Sequence, residues 1–259
     1  GCHILIADGL KGTDDVLVPV RGGELVKEAK IGRAVMDADI VISLTHFKCH
    51  ECTGIGGTLK NLGMGCGSRA GKMDMHSTGK SLVSPDDCVG CGKCKTVCAH
   101  SAISITQGKA SIDSAKCVGC GRCLGNCPMD AISPAEDDAF ENLDKKIVEY
   151  AAAVVGGRPH FHISLGVDIS PYCDCHSEND VPVVPDVGMF ASFDPVAIDV
   201  ACADAVNQAP PWPGSLLAAQ AGQGSDHFSS VTPGTDWRIC TNHGKKLGIG
   251  NTEYELVKI

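Results

Sequence analysis

Two copies of one cysteine pattern constrain this chain more than any other feature of its sequence. Each copy places four cysteines with two, two and three residues between them, and the second copy follows the first after 29 residues. Both copies also carry the letters VGCG around their second cysteine. A shared spacing and shared intervening letters indicate a duplicated unit. The eight cysteines are Cys88, Cys91, Cys94, Cys98, Cys117, Cys120, Cys123 and Cys127.

This spacing is typical of a pair of [4Fe-4S] clusters. The first three cysteines of each copy supply three thiolates from one tight loop, and the fourth reaches the other cluster. Glycines beside the second cysteines allow the backbone to turn tightly and to point amides at sulfur. The second copy ends in Cys127-Pro128, as bacterial ferredoxins do, whereas the first ends in Cys98-Ala99. We expect that difference to alter the local backbone conformation and the reduction potential, but not the number of clusters. The predicted ligands are Cys88, Cys91, Cys94 and Cys127 for cluster I, and Cys117, Cys120, Cys123 and Cys98 for cluster II.

Two alternatives to a redox-active pair of clusters stay open. Structural zinc also uses paired Cys-x2-Cys motifs, but it needs only four ligands and gives no reason for the ferredoxin spacing in both copies. The clusters could instead be purely structural. Two adjacent clusters favour a one-electron relay, so electron transfer is the function that we expect.

Composition excludes several classes of partner. The 259 residues carry a formal net charge of -9, which argues against nucleic acid or an anionic membrane surface as the main partner. No apolar run approaches the roughly 18 residues that span a bilayer, so we expect no membrane span. Sixteen cysteines without a secretion signal indicate metal or redox chemistry in the cytoplasm. The chain starts at Gly1 and soon enters an apolar stretch over 3–7, which we expect to be a buried strand after a missing N-terminal region.

The flanking segments alternate helix and strand patterns. Short helices are expected over 31–38 and from Asp194 to about Val206, with strands over 39–45 and 161–167. A capping box at Ser133 predicts a long helix that ends at Gly156-Gly157. Two short alternating runs around Gln107-Gly108 predict a hairpin within the cysteine segment. The predicted fold class is a mixed α/β body formed by 1–83 and 134–259, interrupted by a bacterial ferredoxin-like 2[4Fe-4S] module over 84–133.

A polar, glycine-rich segment follows the first predicted strand of the body. Ligands of α/β folds bind at such a position, and glycines there could bring backbone amides to an anion. The Walker pattern for phosphate binding is absent. The segment could equally be a loop whose backbone conformation requires glycine and which packs against the cysteine module. The candidates for binding or transforming a small anionic ligand are His46, His50, Lys60, Asn61 and Lys72.

Further cysteines and histidines could form a third metal site or cluster. They are sufficient in number and type, but they come from separate segments and could equally be reduced thiols and loop histidines. The candidate ligands are Cys49, Cys52, Cys66, Cys173, Cys175 and His176, together with His46 and His50.

Several of these segments together resemble one family. The run from His46 to His76, the doubled cysteine motif, the PYCDC letters before His176 and the segment from Asp194 to Asp199 are similar to the DUF362 family of iron-sulfur proteins. That resemblance implies a ferredoxin-type domain inside an α/β domain of unassigned function. Family members commonly have a longer N-terminal region. Cys49 and Cys52 depart from the usual form of the family, which strengthens the hypothesis of a third site.

We therefore expect an iron-sulfur electron-transfer protein, a subunit or partner of a larger redox system, that relays low-potential electrons through two clusters to a redox partner protein. The alternative is a redox enzyme whose body binds a small anionic substrate or a further metal centre served by the clusters. A third hypothesis is a regulatory module that senses oxidation through Cys49 and Cys52.

Overall fold

The computed structural model describes residues 3–76, 80–117, 123–134, 140–175, 180–220 and 222–259. They form a mixed α/β structure with several small sheets. The chain divides into two compact units, one made of 1–18, 29–37 and 67–139, and the other of 19–28, 38–66 and 140–259. We call them the cysteine-module unit and the sheet unit. Among the described helices, none combines the length and the apolar character needed to cross a bilayer.

The sheet unit is built on a three-stranded sheet whose central strand is β10 (His160–Gly166). Strand β3 (Val41–His46) runs parallel to β10, and β11 (Gly188–Ser192) runs antiparallel to it. Two further strands, β4 (Lys48–His50) and β5 (Gly54–Gly56), form a small antiparallel pair directly after β3. The chain then enters a short helix, α2 (Thr58–Lys60), which continues as a π-helical turn (Asn61–Gly65).

Helices supply most of the core of the sheet unit. The apolar residues of α5 (Phe140–Val155) recur at helical spacing, and Ile147, Tyr150 and Val154 are buried. Helix α6 (Pro195–Gln208) begins at Asp194, whose side chain accepts hydrogen bonds from the N–H groups of Val196 and Ala197. The remaining helices are α7 (Leu216–Gln220), α8 (His227–Val231) and α9 (Arg238–Leu247).

The cysteine-module unit contains smaller elements. Strands β1 (Asp15–Pro19) and β2 (Glu28–Gly32) pair, and they are followed by α1 (Arg33–Met36) and later by α3 (Arg69–His76). Around the cysteines lie β6 (Ser81–Val83), α4 (Lys93–Val97), β7 (Ile103–Thr106), β8 (Lys109–Ile112), a 3-10 turn (Leu124–Asn126) and β9 (Ile132–Pro134). Strand β6 pairs with β9 and β7 with β8, both antiparallel. The hairpin around Gln107-Gly108 is confirmed, and both turn residues have positive φ, as a tight two-residue turn requires.

The two sequence copies also form equivalent local structure. The N–H of Ser84 donates to the carbonyl of Ala131, and 29 residues later the N–H of Asp113 donates to the carbonyl of Ala102. Left-handed backbone occurs at the matching positions of both copies, Ser101 and Asp130. The duplication found in the sequence is therefore a duplication of structure. The domain boundaries at 84 and 133 stay a prediction.

Three expectations about local structure were wrong. The apolar stretch over 3–7 forms no strand, and Ile4 and Leu5 are 89% and 80% exposed, because an apolar run becomes a buried strand only where another strand pairs with it. Ser133 does not cap a helix but pairs with Leu82 in β9, and the described part of α5 begins at Phe140. Strand β3 forms as expected but is not buried throughout, since alternate side chains such as Leu44 point to an exposed face.

Candidate metal centres

Four cysteines of the cysteine-module unit line one pocket. Three come from the first sequence copy, Cys88, Cys91 and Cys94, and the fourth is Cys127 from the end of the second copy. Apart from glycine, the rest of the lining is apolar: Val89, Ala110, Pro128, Met129, Ala131 and Ile132. This grouping is the one predicted for cluster I, with the fourth thiol contributed across the duplication.

Backbone amides point at the sulfur atoms of this unit. The N–H of Ala110 donates to Cys88 Sγ at 3.3 Å, and the N–H of Ala131 donates to Cys127 Sγ at 3.3 Å. The amide of Ala110 is the largest influence on Cys88 and lowers the pKa of its thiol, because an N–H donor favours the thiolate. In the matching position of the first copy, the N–H of Ala102 donates to Cys98 Sγ at 3.4 Å. These sulfurs therefore lie in a setting that favours metal ligation.

One lysine lies beside the first cysteine of each copy. Lys109 Nζ donates to the carbonyl oxygen of Cys88 at 2.7 Å, and Lys80 Nζ donates to the carbonyl oxygen of Cys117. Lys80 and Lys109 are themselves 29 residues apart. Each sulfur loop thus has a positive charge at an equivalent place. This pair of lysines was not predicted from the sequence. A comparison of all residues 29 positions apart, and not only of cysteines and glycines, would have found it.

Gly90 is required by the path of the first loop. Its φ is +66°, and a Cβ on it would lie 2.1 Å from the carbonyl oxygen of Gly108. A side chain would therefore push the loop away from the hairpin.

The second cysteine group is described in part. Cys123 is buried and lies 3.8 Å from Ser81 Oγ, while Cys98 and Cys117 are half-buried. Cys120 lies outside the described residues, so the full grouping for cluster II stays a prediction.

A separate group of possible ligands lies in the sheet unit. One ligand atom each of His50, Cys173 and Cys175 lies within 4.8 Å of the other two. His50 ends β4, and the cysteines lie in the loop after β10. The two segments are joined by a hydrogen bond from the N–H of Cys49 to the carbonyl of Ser170 at 3.1 Å. His50, Glu51 and Cys52 form a second, overlapping group.

Charged and polar side chains surround this group. Lys60 Nζ donates to Cys173 Sγ at 3.3 Å. His50 Nδ1 accepts hydrogen bonds from the N–H groups of Cys52 and Thr53, which fixes the plane of the ring. Cys175 is exposed, but the protein atoms on one side of it partly desolvate its thiol and raise the thiol pKa to about 11. The arrangement thus combines two sulfurs, one imidazole and a nearby ammonium group.

Lys48 is a charged residue of this region that was not predicted from the sequence. Its side chain is 3% exposed, and Nζ lies 2.9 Å from the carbonyl of His46 and 3.3 Å from Asp174 Oδ2. His46 Nδ1 also contacts Asp174 Oδ2, at 2.9 Å. Partial burial raises the pKa of Asp174, but its bonds to His46 and Lys48 outweigh this and leave the pKa lowered. His46 is therefore held as a partner of Asp174 within the fold.

The amides that were expected to bind an anion have a partner inside the protein. The N–H groups of Thr58 and Leu59 donate to the Asp199 carboxylate at 2.6 and 2.9 Å. A Cβ on Gly57 would lie 2.5 Å from this carboxylate, which accounts for glycine at this position. Burial raises the pKa of Asp199 to about 6, against the opposing effect of these donors. Asp199 thus anchors the start of α2.

Residues 1–204 match a family model described as a domain of unknown function, DUF362. The chain belongs to the DUF362 family. No curated protein matches it. The DUF362 match includes all eight cysteines of the duplicated motif and also His50, Cys173 and Cys175.

The structure brings together only part of the predicted third site. Cys173 and Cys175 lie close together, and the candidate histidine beside them is His50. Cys49 is not in the group, because Cys49 and His50 are neighbours on β4 and point to opposite faces. Burial raises the pKa of the Cys49 thiol to about 12. Cys66 is also not among the described groups, and His176 lies outside the described residues.

The predicted anion site is likewise divided. His46, His50, Lys60 and Asn61 belong to the sheet unit, where the Asn61 amide donates to Thr45 Oγ1 at 3.4 Å. Lys72 belongs to the cysteine-module unit and donates to the carbonyl of Gly67.

Proposed function

We propose that this DUF362 protein is a cytoplasmic electron-transfer protein that holds two [4Fe-4S] clusters and exchanges electrons with a redox partner protein. The observation that carries the proposal is the pocket lined by Cys88, Cys91, Cys94 and Cys127. A zinc site could take all four of its ligands from one copy, Cys98 included, and would not need a ligand from the other copy. The crossed contribution is what the ferredoxin pattern requires.

The donors and their surroundings fit an iron-sulfur cube. Four thiols are the usual ligands of [4Fe-4S], and N–H donors to sulfur stabilise the electron-rich cluster. The lining beside the sulfurs is apolar at Pro128, Met129 and Ile132, and Cys88 and Cys94 are buried while Cys91 is exposed. Such a cluster, when bound, takes up and releases one electron.

The residues of the protein have three tasks in this proposal. The thiols hold the iron, and the amides of Ala110 and Ala131 orient and stabilise the sulfurs. The ammonium groups of Lys80 and Lys109 stabilise added negative charge near each loop. The internal duplication supports two sites of similar construction and hence a relay through both.

The test combines iron analysis with one ligand variant. Anaerobically reconstituted protein is expected to contain about eight iron atoms per chain and to give an EPR signal after strong reduction. Cys127→Ser is expected to lower the iron content and to change the signal of one cluster. Cys202→Ser is the control, because Cys202 is buried in α6 of the sheet unit.

Three outcomes would reject the proposal. Fewer than about seven iron atoms in the reconstituted wild type would exclude two complete cubes. Zinc in place of iron would favour the structural alternative. Unchanged iron content in Cys127→Ser would contradict the crossed ligand.

A redox enzyme is the second candidate. The observation that favours it is the group of His50, Cys173 and Cys175 with Lys60 beside it. An enzyme that binds an anionic substrate at the amides of Thr58 and Leu59 has less support, because those amides already donate hydrogen bonds to the Asp199 carboxylate. An enzyme would show saturable oxidation or reduction of a small molecule that Cys173→Ser abolishes while the iron content stays unchanged.

A further inference from the structure

The strongest unassigned feature is the group of His50, Cys173 and Cys175 in the sheet unit. Its three ligand atoms lie within 4.8 Å of one another, close enough to surround one ion. His50 and Cys173 are 5% and 1% exposed, so these two donors are held by packing. Cys175 is exposed and gives the group an open side.

We propose that His50, Cys173 and Cys175 bind one zinc ion, with the fourth coordination position open to an external ligand. Two thiolates and one imidazole are a donor set that zinc accepts in sites with an exchangeable fourth position. Hard ions such as magnesium and calcium prefer oxygen donors and are disfavoured here. The site is independent of the eight cysteines of the duplicated motif.

The segments that carry the ligands are joined before any ion binds. The hydrogen bond from the Cys49 amide to Ser170 holds the end of β4 against the cysteine loop. The ring of His50 is oriented by the amides of Cys52 and Thr53 at Nδ1, so the neutral ring carries its proton on Nε2. To bind the ion through Nε2, the ring takes its other neutral tautomer, in which the proton lies on Nδ1 and the two amide hydrogen bonds to Nδ1 are released.

Lys60 acts as a positioning residue in this proposal. Its ammonium group donates to Cys173 Sγ and stabilises negative charge on that sulfur without being a ligand. Interactions of this kind with a ligating atom typically change metal affinity by about 10- to 100-fold. Lys60→Met is therefore expected to weaken zinc binding by about 10-fold or more.

A redox-active dithiol is the competing use of the same cysteines. A reactive dithiol needs both sulfurs to be accessible. Cys175 is exposed, but Cys173 is almost fully buried. The arrangement therefore suits ligation better than thiol exchange.

The experiment measures zinc and iron together in the reconstituted full-length protein. After addition of zinc chloride and removal of excess, we expect one zinc per chain, and zinc-edge X-ray absorption with two sulfurs at about 2.3 Å and one nitrogen at about 2.0 Å. Cys173→Ser, Cys175→Ser and His50→Gln should each raise the dissociation constant for zinc at least 10-fold with the iron content unchanged. Cys66→Ser is the matched control and should retain zinc. Tryptophan fluorescence confirms that each variant is folded.

The outcomes separate this proposal from the proposed function. Zinc with four sulfur neighbours would place it in the duplicated motif and overturn the inference. So would zinc binding that all three ligand variants preserve, or an iron content that falls in Cys173→Ser. Failure to find two [4Fe-4S] clusters would reject the electron-transfer proposal but would leave the zinc measurement unaffected.

Discussion

Replacing Glu149 by Gln tests a buried carboxylate with several hydrogen bonds in the sheet unit. Glu149 lies on α5 and is fully buried. Its two oxygens accept the backbone N–H groups of Glu24, Leu25 and Val26 at 2.6–3.2 Å. Oε1 also lies 3.0 Å from His243 Nε2 on α9. One side chain thus joins two helices and the 24–26 loop.

The expected loss of stability follows from these contacts. An amide keeps one oxygen but presents an NH2 group to donors that need an acceptor. A buried N–H left without its acceptor costs about 1–3 kcal/mol, and the remaining bonds lose the strengthening effect of a charged acceptor, about 1 kcal/mol each. Together these effects reduce the free energy of unfolding by about 4 kcal/mol, a large part of the 5–15 kcal/mol that is usual for a folded domain.

The assay is urea unfolding followed by tryptophan fluorescence. Both tryptophans, Trp212 and Trp237, belong to the sheet unit, so the signal reports on the unit that contains Glu149. The midpoint should fall by about 2 M if the slope is about 2 kcal/mol per M. Glu141→Gln on the same helix is the control, because its salt bridge with Lys145 is exposed and should contribute under about 0.5 kcal/mol. A loss below about 1 kcal/mol for Glu149→Gln would refute the reasoning.

Three further predictions concern other parts of the protein. Gly90→Ala should reduce the iron content strongly, because its Cβ would meet a carbonyl oxygen at 2.1 Å. The control Gly92→Ala has a similar positive φ of +77° and hence similar backbone strain, but its Cβ lies in open space; equal iron in both variants would contradict the steric argument. Lys109→Gln should lower the reduction potential of one cluster by about 40 mV, which corresponds to about 1 kcal/mol of lost charge stabilisation. Redox titration measures this shift, and Lys116→Gln, which removes an exposed charge, is the control. Burial raises the pKa of Asp144 to about 8, so the folded protein keeps a proton that the unfolded chain releases, and this carboxyl lowers stability as pH rises from about 4 to 8. Asp144→Asn should flatten that part of the stability profile and raise the urea midpoint at pH 8; a parallel profile would count against a protonated Asp144.

Local patterns in the sequence were reliable where neighbouring residues decide the structure. The cap at Asp194, the end of α5 before Gly156 and the turn at Gln107-Gly108 depend on backbone geometry within a few residues. The start of α5 predicted at Ser133 was wrong, because pairing of β9 with β6 competes with the local cap signal and prevails. The prediction that β3 is buried was wrong, because burial depends on which other segments cover each face of the strand, and the residues of the strand do not specify those segments.

The cysteine motif was informative by itself, since its spacing and duplication specify both the type of ligand and the crossed partner. The pocket of Cys88, Cys91, Cys94 and Cys127 has the composition that this pattern indicates. The second group could not be assembled in that way. His50 and Cys173 are more than a hundred residues apart, and only the contact between β4 and the loop after β10 makes them neighbours.

The sequence thus determined which residues could ligate metal in the duplicated motif, because repeated local spacing acts over a few residues. Tertiary structure alone decided that His50, and not its neighbour Cys49, lies beside Cys173, because adjacent residues of a strand point to opposite faces. It also decided that Asp199, rather than an external anion, accepts the amides at the start of α2. Both outcomes depend on segments distant in sequence that meet only in the folded chain.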